Sequence, residues 1–305
     1  LTKFTSGVPY YWQLERSGDV LASGVVAAEA APEPAPAPAP EPAPEPAPAP
    51  EPAPAPEPAP APAPAPTGSL TDATFQTFRA SNGLTGQYHL YAAGIDPSAS
   101  VGLMVQFHGD GAYEFDHPDS SYSLGGSTGI RAQASSRNMI LLVARTPDTT
   151  GSPTWWEAGS ANADYARDLI QAIGYDRYTI DRERVWLVGY SGGAQFITQF
   201  LLPKHSSLIA GGGAVVFGGG GTPRVTTQPF AAGLVSDFPM HWYTGAGDDG
   251  TCDSSYNALR DARSGSAYYR DLGFEATLET PAGVCHNLSG RFGPITGQQL
   301  DAHDL

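Results

Sequence analysis

The segment VWLVGYSGG at residues 185–193 has the residue types and spacing of a nucleophilic turn. A buried strand is predicted to run into G-x-S-x-G, and the pattern from Ala194 to Leu202 predicts a helix immediately afterwards. Glycines two residues before and after the serine let the strand and the helix approach closely enough for a sharp turn. Such a turn would lift the Ser191 hydroxyl above the sheet edge and leave the N–H of Gly192 free to bind an oxyanion. The pattern predicts that Ser191 is a nucleophile.

A serine hydroxyl needs a general base, and the base needs an orienting carboxylate. After a turn of this kind the expected chain order is Ser, then Asp or Glu, then His. Four histidines follow Ser191, namely His205, His241, His286 and His303. Of these, only His286 is predicted to follow a strand and a turn at the carboxyl edge of the sheet, where functional sites gather. His205 is interpreted as a charge partner at a helix end, His241 as a strand residue and His303 as part of the final helix or tail. We therefore predict His286 as the base.

Two adjacent carboxylates are candidates for the acid. The strand predicted at 241–244 ends in GAGDDG at residues 245–250. Both Asp248 and Asp249 would reach the same sheet edge as the serine. Asp248 is preferred, but the alternative stays open because one of the two can simply cap a turn.

The second oxyanion donor is expected in the loop after an earlier strand. Residues 103–107 predict a buried strand, and HGDG at residues 108–111 follows it. The backbone N–H of Asp110 is the predicted donor, and His108 is expected to hold the loop by a hydrogen bond. A metal site at His108 and Asp110 is not predicted, because no third ligand is suggested. The proposed chemistry requires no cofactor.

The two cysteines flank the predicted acid and base. Cys252 lies four residues after Asp248, and Cys285 immediately precedes His286. A bridge between them would fasten the acid loop to the base loop and would require an oxidising compartment. The alternative is two unrelated buried thiols.

Aromatic residues beside the serine are candidates for substrate binding. Tyr190 precedes Ser191, and Trp155 and Trp156 stand in a loop between a predicted strand and a predicted helix. These three side chains are expected to contact substrate, although one of the tryptophans could instead pack in the core.

The predicted secondary structure supplies a frame for these residues. Strands are predicted at 87–92, 102–107, 138–144, 184–188, 214–217, 241–244 and 275–279, and helices at 161–173, 192–202 and 254–272. Short, continuously apolar strands separated by helices favour an α/β fold, with a mostly parallel sheet covered by helices on both faces.

Proline divides the 305-residue chain. Eighteen of its 29 prolines fall at every second position from Pro32 to Pro66. This pattern predicts an extended linker at 29–66 with a reach on the order of 100 Å. It leaves residues 67–305 as one catalytic domain. Residues 1–28 are interpreted as the remnant of an upstream β-rich segment, with two β-segments around Ser17-Gly18-Asp19, or as a leader.

Composition excludes several partners. Sixteen Lys and Arg against 31 Asp and Glu, a net charge of −15, argue against binding to nucleic acid phosphates. The chain contains no apolar run near the roughly 20 residues that a membrane helix requires. The oligomeric state is left open, with a monomer as the expectation.

The chain resembles a group of secreted esterases that contains feruloyl esterases, acetylxylan esterases and polyhydroxybutyrate depolymerases. The matching pieces are residues 108–111, 156–165, 181–193, 245–248 and 283–286, within a span of roughly residues 85–300. The resemblance implies an α/β-hydrolase fold with Ser191 as nucleophile, Asp248 as acid and His286 as base.

These observations together predict a secreted serine carboxylesterase. A linker of this reach suits an enzyme that acts on an insoluble polymer, so feruloyl or acetyl esters of polysaccharides and polyesters are the candidate substrates. Two alternatives remain: a serine peptidase with the same triad, and a non-catalytic binding module on a stalk.

Overall fold

The computed structural model describes residues 10–16, 19–26, 68–148 and 151–305. Two strands, β1 (Tyr10–Arg16) and β2 (Asp19–Val26), pair antiparallel in an N-terminal unit that is separate from residues 62–305. The linker predicted at 29–66 and residues 17 and 18 of the predicted turn lie outside the described residues. No helix of the described part combines the length and apolar character needed to span a bilayer.

Eight strands form the central sheet in the order β10-β9-β8-β7-β5-β6-β4-β3. Their bounds are β3 (Ala73–Arg79), β4 (Thr85–Tyr91), β5 (Gly102–Phe107), β6 (Met139–Ala144), β7 (Val185–Tyr190), β8 (Gly212–Phe217), β9 (Met240–Tyr243) and β10 (Ala276–Glu279). The six strands from β6 to β10 along the sheet are parallel, whereas β4 and β3 continue the other edge antiparallel. The predicted, mostly parallel sheet is confirmed.

Each of the seven predicted strands is present with its ends within two residues of the expected positions. The sequence interpretation missed β3, which is an edge strand. Its residues are mostly exposed, so the strand has no apolar run that a sequence pattern could reveal. Its register also shifts between Ala73 and Gln76, with Phe75 at a φ of 53°.

Helices cover both faces of the sheet. The helices are α1 (Tyr113–Asp116), α2 (Ile130–Ser135), α3 (Gly159–Leu169), α4 (Gly192–Phe196), α5 (Leu202–His205), α6 (Ala232–Asp237), α7 (Ala258–Asp271) and α8 (Phe292–Ala302). A π-helical segment, Ile170–Tyr175, continues α3, and another, Ile197–Leu201, joins α4 to α5. The three predicted helices correspond to α3, to the run α4–α5 and to α7, which begins four residues later than expected.

Strands β5, β6 and β7 are buried along their whole length, so their alternate side chains feed two separate cores. Val105 and Leu187 face one core with side chains from α3, α4 and α7. Met104 and Val188 face the other core with side chains from α2 and α8. This burial on both faces explains why the sequences of these strands are almost continuously apolar. The parallel pairing in the order β9-β8-β7-β5 places the carboxyl ends of these four strands side by side.

Candidate active site

The chain turns sharply at Ser191, between β7 and α4. Ser191 has a φ of 51° and a ψ of −110°, which is a strained conformation for a residue with a side chain. Its backbone N–H donates to the carbonyl of Phe217 on the neighbouring strand at 2.8 Å. Its carbonyl accepts from the N–H of Gln195 at 3.0 Å, which anchors the first turn of the helix. The turn is thereby held from both sides, and the hydroxyl projects beyond the sheet edge.

The glycines around the serine are required by close backbone contacts. A Cβ on Gly193 would lie 2.2 Å from the carbonyl oxygen of Phe107, and a Cβ on Gly189 would lie 2.7 Å from the backbone of Gly193. Neither contact is possible between real atoms, so helix α4 can cross the sheet edge at this distance only if both positions lack side chains. The spacing of the motif therefore follows from the packing of α4 against β5 and β7.

A continuous hydrogen-bond chain links the serine to a histidine and a carboxylate. Ser191 Oγ lies 2.9 Å from His286 Nε2, and His286 Nδ1 lies 2.8 Å from Asp248 Oδ2. Asp248 is 1% exposed, and because a carboxylate oxygen accepts hydrogen bonds, the tautomer that fits this contact has its proton on Nδ1. Nε2 is then free to accept the serine proton. The structure brings together the three residues that the sequence singled out, from positions 95 and 38 residues apart along the chain.

The structure separates the two candidate acids. Asp249 is exposed, and its Oδ1 accepts from the N–H of Thr251 at 3.0 Å and from the Thr251 hydroxyl at 2.6 Å. These two hydrogen bonds lower the pKa of Asp249. Asp249 therefore closes a turn, whereas Asp248 faces the histidine.

The other three histidines lie elsewhere. His205 Nε2 contacts Asp164 Oδ1 at 2.8 Å, and His241 is buried in β9 with Nδ1 2.8 Å from the hydroxyl of Thr277. His303 follows the end of α8 with its ring 5.9 Å from that of Trp186. None of them contacts the serine, whereas His286 Nε2 lies 2.9 Å from Ser191 Oγ.

The loop that carries His286 is fastened by two neighbours from the acid loop. Cys252 and Cys285 form a disulfide with Cα atoms 6.0 Å apart, as the sequence predicted. Asp253, which the sequence interpretation missed, accepts from the N–H of His286 at 2.7 Å and from the N–H of Asn287 at 3.0 Å. Its position next to Cys252 was the signal in the sequence that could have drawn attention to it.

Two aromatic residues fix the other sides of the histidine. The hydroxyl of Tyr190 donates to the carbonyl oxygen of His286 at 2.9 Å. The Tyr256 ring stands edge-on to the imidazole, with ring centres 5.8 Å apart. Tyr190 was predicted to contact substrate, and it lines the cleft while also bracing the base loop.

The loop after β5 faces the serine from the opposite side. Both oxygens of the Asp110 carboxylate accept from Trp156 Nε1, at 3.2 and 3.0 Å. Within residues 68–148 and 151–305, the backbone N–H groups of Asp110 and Gly192 have no acceptor. They are therefore the two donors open to an oxyanion. A Cβ on Gly192 would lie 2.0 Å from Asp110 Oδ1, which shows how closely the two loops approach.

Two buried side chains hold this loop in place. Burial lowers the pKa of His108 to about 4, so the ring is neutral at physiological pH. Its Nε2 accepts from the N–H of Thr146 at 3.1 Å, and its Nδ1 donates to the carbonyl of Gly109 at 2.6 Å. Glu114, which the sequence interpretation missed, accepts from the N–H of Gly109 at 3.0 Å. The predicted structural role of His108 is confirmed.

A cleft of about 470 Å³ opens above the serine. Its lining includes Gln195, Arg224, Ser254 and Tyr256. Trp156 lines it as predicted. The same prediction for Trp155 is wrong: this side chain is fully buried and stacks on Phe196 with ring centres 4.7 Å apart. The loop turns one tryptophan into the core and leaves the other at the surface.

No protein-family model and no curated protein sequence matches the chain. Solved structures do resemble it in fold. An S954A mutant of a feruloyl esterase module from Clostridium thermocellum, complexed with sinapinate, is 13% identical with a TM-score of 0.51, over 78% of this chain and 88% of that one. YahD with malic acid is also 13% identical with a TM-score of 0.51, over 72% of this chain and 100% of that one.

Dipeptidyl peptidase 4 of Porphyromonas gingivalis is a third neighbour. It is 16% identical with a TM-score of 0.50 over 75% of this chain, which spans only 34% of the peptidase. At these identities the likeness concerns the fold alone. The strand order, the strained turn after β7 and these structural neighbours together show that residues 68–305 adopt the α/β-hydrolase fold.

Proposed function

We propose that this protein is a serine hydrolase of carboxylic esters. The observation that carries the proposal is the hydrogen-bond chain from Ser191 Oγ through His286 to the buried Asp248. It is the arrangement that converts a weakly nucleophilic hydroxyl into an attacking group. The free N–H groups of Asp110 and Gly192 support the same proposal from the other side of the reacting carbon.

The reaction has two halves. Ser191 Oγ attacks the ester carbonyl while His286 Nε2 takes the hydroxyl proton, and Asp248 stabilises the resulting imidazolium. The tetrahedral oxyanion binds the N–H groups of Asp110 and Gly192. The intermediate collapses to an acyl-enzyme, and the alcohol leaves with the proton that His286 returns. Water then attacks the acyl-enzyme, gives its proton to His286, and the acid departs as Ser191 Oγ takes that proton back.

The finer part of the proposal concerns the setting. We infer a secreted enzyme acting on esters of a polymer, such as feruloyl or acetyl groups on a polysaccharide, or a polyester. The disulfide supports an oxidising compartment, and the proline-rich composition of residues 29–66 supports a long spacer. The open cleft lined by Trp156, Tyr190 and Tyr256 suits an aromatic or apolar acyl group.

The deciding experiment is intact-protein mass spectrometry after treatment with a fluorophosphonate, on the wild type and on Ser191→Ala. A single adduct that is absent from Ser191→Ala is expected, together with loss of nearly all ester turnover in that variant. A folded wild type that takes no adduct would overturn the proposal. Matched ester and amide substrates then test the peptidase alternative. A peptidase is expected to hydrolyse the amide at a rate comparable to that of the matched ester.

A further inference from the structure

Arg224 is a cation at the cleft that has no carboxylate partner. It lies in the loop between β8 and α6, it is exposed, and its side chain lines the same cavity as Ser191 and His286. Among residues 68–148 and 151–305, its guanidinium makes neither an ion pair nor a hydrogen bond. The guanidinium carbon lies 5.8 Å from the ring centre of Phe200, near the outer limit for a cation–π interaction.

Its backbone, by contrast, is fixed. The N–H of Arg224 donates to the carbonyl of Gln199 at 3.0 Å, and the N–H of Gln228 in the same loop donates to the carbonyl of Pro203 at 2.8 Å. Both acceptors belong to the helical run that begins at Ser191. The loop is therefore tied to the segment that follows Ser191, which keeps the Arg224 side chain at the cleft.

The protein is acidic overall, but the lining of the cleft offers Arg224 no free carboxylate. The chain has a net charge of −15, and most arginines of the described part contact a carboxylate or a carbonyl oxygen. The one carboxylate that lines the cleft, Asp110, already accepts from Trp156. The open guanidinium therefore remains available to a group that enters the cleft with the substrate.

We propose that Arg224 binds a carboxylate on the substrate, so that the preferred substrates are esters whose acyl or alcohol part carries a negative charge. This inference rests on the proposed ester hydrolysis and specifies its substrate class. The planar guanidinium can hold a carboxylate through two parallel hydrogen bonds, which orients the ester as well as attracting it. An acidic protein repels anions at long range, so a local cation at the cleft has a disproportionate effect on which esters enter.

The test uses two pairs of esters that differ in one charge. The first pair, 4-nitrophenyl hydrogen glutarate and 4-nitrophenyl valerate, places the carboxylate on the acyl part. The second pair, 4-acetoxybenzoate and 4-methylphenyl acetate, places it on the alcohol part. For each pair the ratio of kcat/KM for the charged ester to that for the neutral ester is measured in wild type, Arg224→Gln and Arg224→Lys. Arg177→Gln is the matched control, because Arg177 is exposed and lies outside the cleft.

We expect the ratio for at least one pair to fall about tenfold in Arg224→Gln, less in Arg224→Lys, and not at all in Arg177→Gln. Raising the salt concentration should reduce the wild-type ratio towards that of Arg224→Gln. An unchanged ratio in Arg224→Gln for both pairs would overturn the inference, and which pair responds identifies the side of the ester that is charged.

Labelling of Ser191 and hydrolysis of the esters are separate measurements, so loss of the anion site and loss of the proposed function give different results. One outcome is that the fluorophosphonate labels Ser191 although neither pair of esters is hydrolysed. In that case the anion site is tested by adding glutarate and measuring how much it slows the labelling of Ser191. Glutarate should slow the labelling of wild type and of Arg177→Gln more than that of Arg224→Gln. Equal protection would reject the anion site while leaving the activated serine intact. Absence of both labelling and hydrolysis would reject the proposed function itself, and with it the inference.

Discussion

Asp253 Oδ1 accepts a hydrogen bond from the backbone N–H of His286 at 2.7 Å, and Asp253 Oδ2 accepts one from the N–H of Asn287 at 3.0 Å. Burial of Asp253 alone would raise its pKa, but these two N–H groups reverse the effect, and the pKa lies below its usual value. The ionised carboxylate thus holds the backbone of the loop that carries the proposed base. The imidazole ring reaches the serine from a position that Asp253 sets.

Replacement of Asp253 should impair turnover more than substrate binding. We expect Asp253→Ala to lower kcat about tenfold, because both backbone hydrogen bonds to the base loop disappear. Asp253→Asn keeps one acceptor and should lose less. Asp249→Ala is the control, since Asp249 closes a turn in the same loop without touching His286. An equal fall in kcat in Asp249→Ala would show that any change in this loop lowers turnover, and would contradict a specific role of Asp253.

Loss of the disulfide should destabilise the domain. Cys252→Ser combined with Cys285→Ser frees a loop of 34 residues, and the free energy of unfolding should fall by about 3 kcal/mol. For a domain of this size that corresponds to a melting temperature lower by roughly 10 °C. Thermal denaturation with and without reductant measures the effect. Because the chain has no further cysteine, reductant should lower the melting temperature of the wild type and leave that of the double variant unchanged. A wild type indifferent to reductant would contradict the prediction.

Two buried histidines should make the protein less stable in acid. Burial lowers the pKa of both His108 and His241 to about 4, from an ordinary value near 6.5. The unfolded chain therefore binds protons at a higher pH than the folded chain. The stabilising contribution is fully present above pH ~6.5 and is lost as the pH falls towards 4, by an amount on the order of 3 kcal/mol per histidine.

Urea denaturation at a series of pH values between 7 and 4 tests this expectation. The free energy of unfolding of the wild type should fall with decreasing pH, and His241→Gln should show a shallower fall. His117→Gln, at an exposed histidine, should behave as the wild type does. A slope that is the same in all three proteins would refute the assignment to buried histidines.

The hydrogen bond from Trp156 Nε1 to Asp110 should hold the loop after β5, which carries the N–H of Asp110 proposed to bind the oxyanion. We expect Trp156→Phe to lower kcat/KM about fivefold, because the ring keeps its packing but the donor is lost. Asp110→Asn keeps an acceptor for Trp156 and should retain more activity. If the two side chains act through this contact, the double variant Trp156→Phe with Asp110→Asn should lose less than the sum of the single free-energy losses. Strict additivity would show that the contact has no role in turnover.

The sequence by itself predicted seven of the eight strands of the central sheet and the turn that carries Ser191. Apolar runs of six or seven residues predict β5 and β6 because both faces of those strands are buried, and the same information is absent from β3, whose side chains are mostly exposed. Ser191 was identifiable because a sharp turn between a strand and a helix needs glycines at Gly189 and Gly193, and this requirement is local.

Relations between distant loops were decided by the tertiary structure. Asp248 and Asp249 are neighbours of the same type, and only the position of His286 shows which of them faces the imidazole. The core likewise decides between Trp155 and Trp156, since one packs against Phe196 and the other reaches Asp110. A sequence pattern predicts strands and helices from the spacing of apolar residues, and it predicts turns from local residue types. The meeting of side chains 95 residues apart depends on the order of strands in the sheet and on the direction in which each loop leaves it, and these are properties of the folded chain.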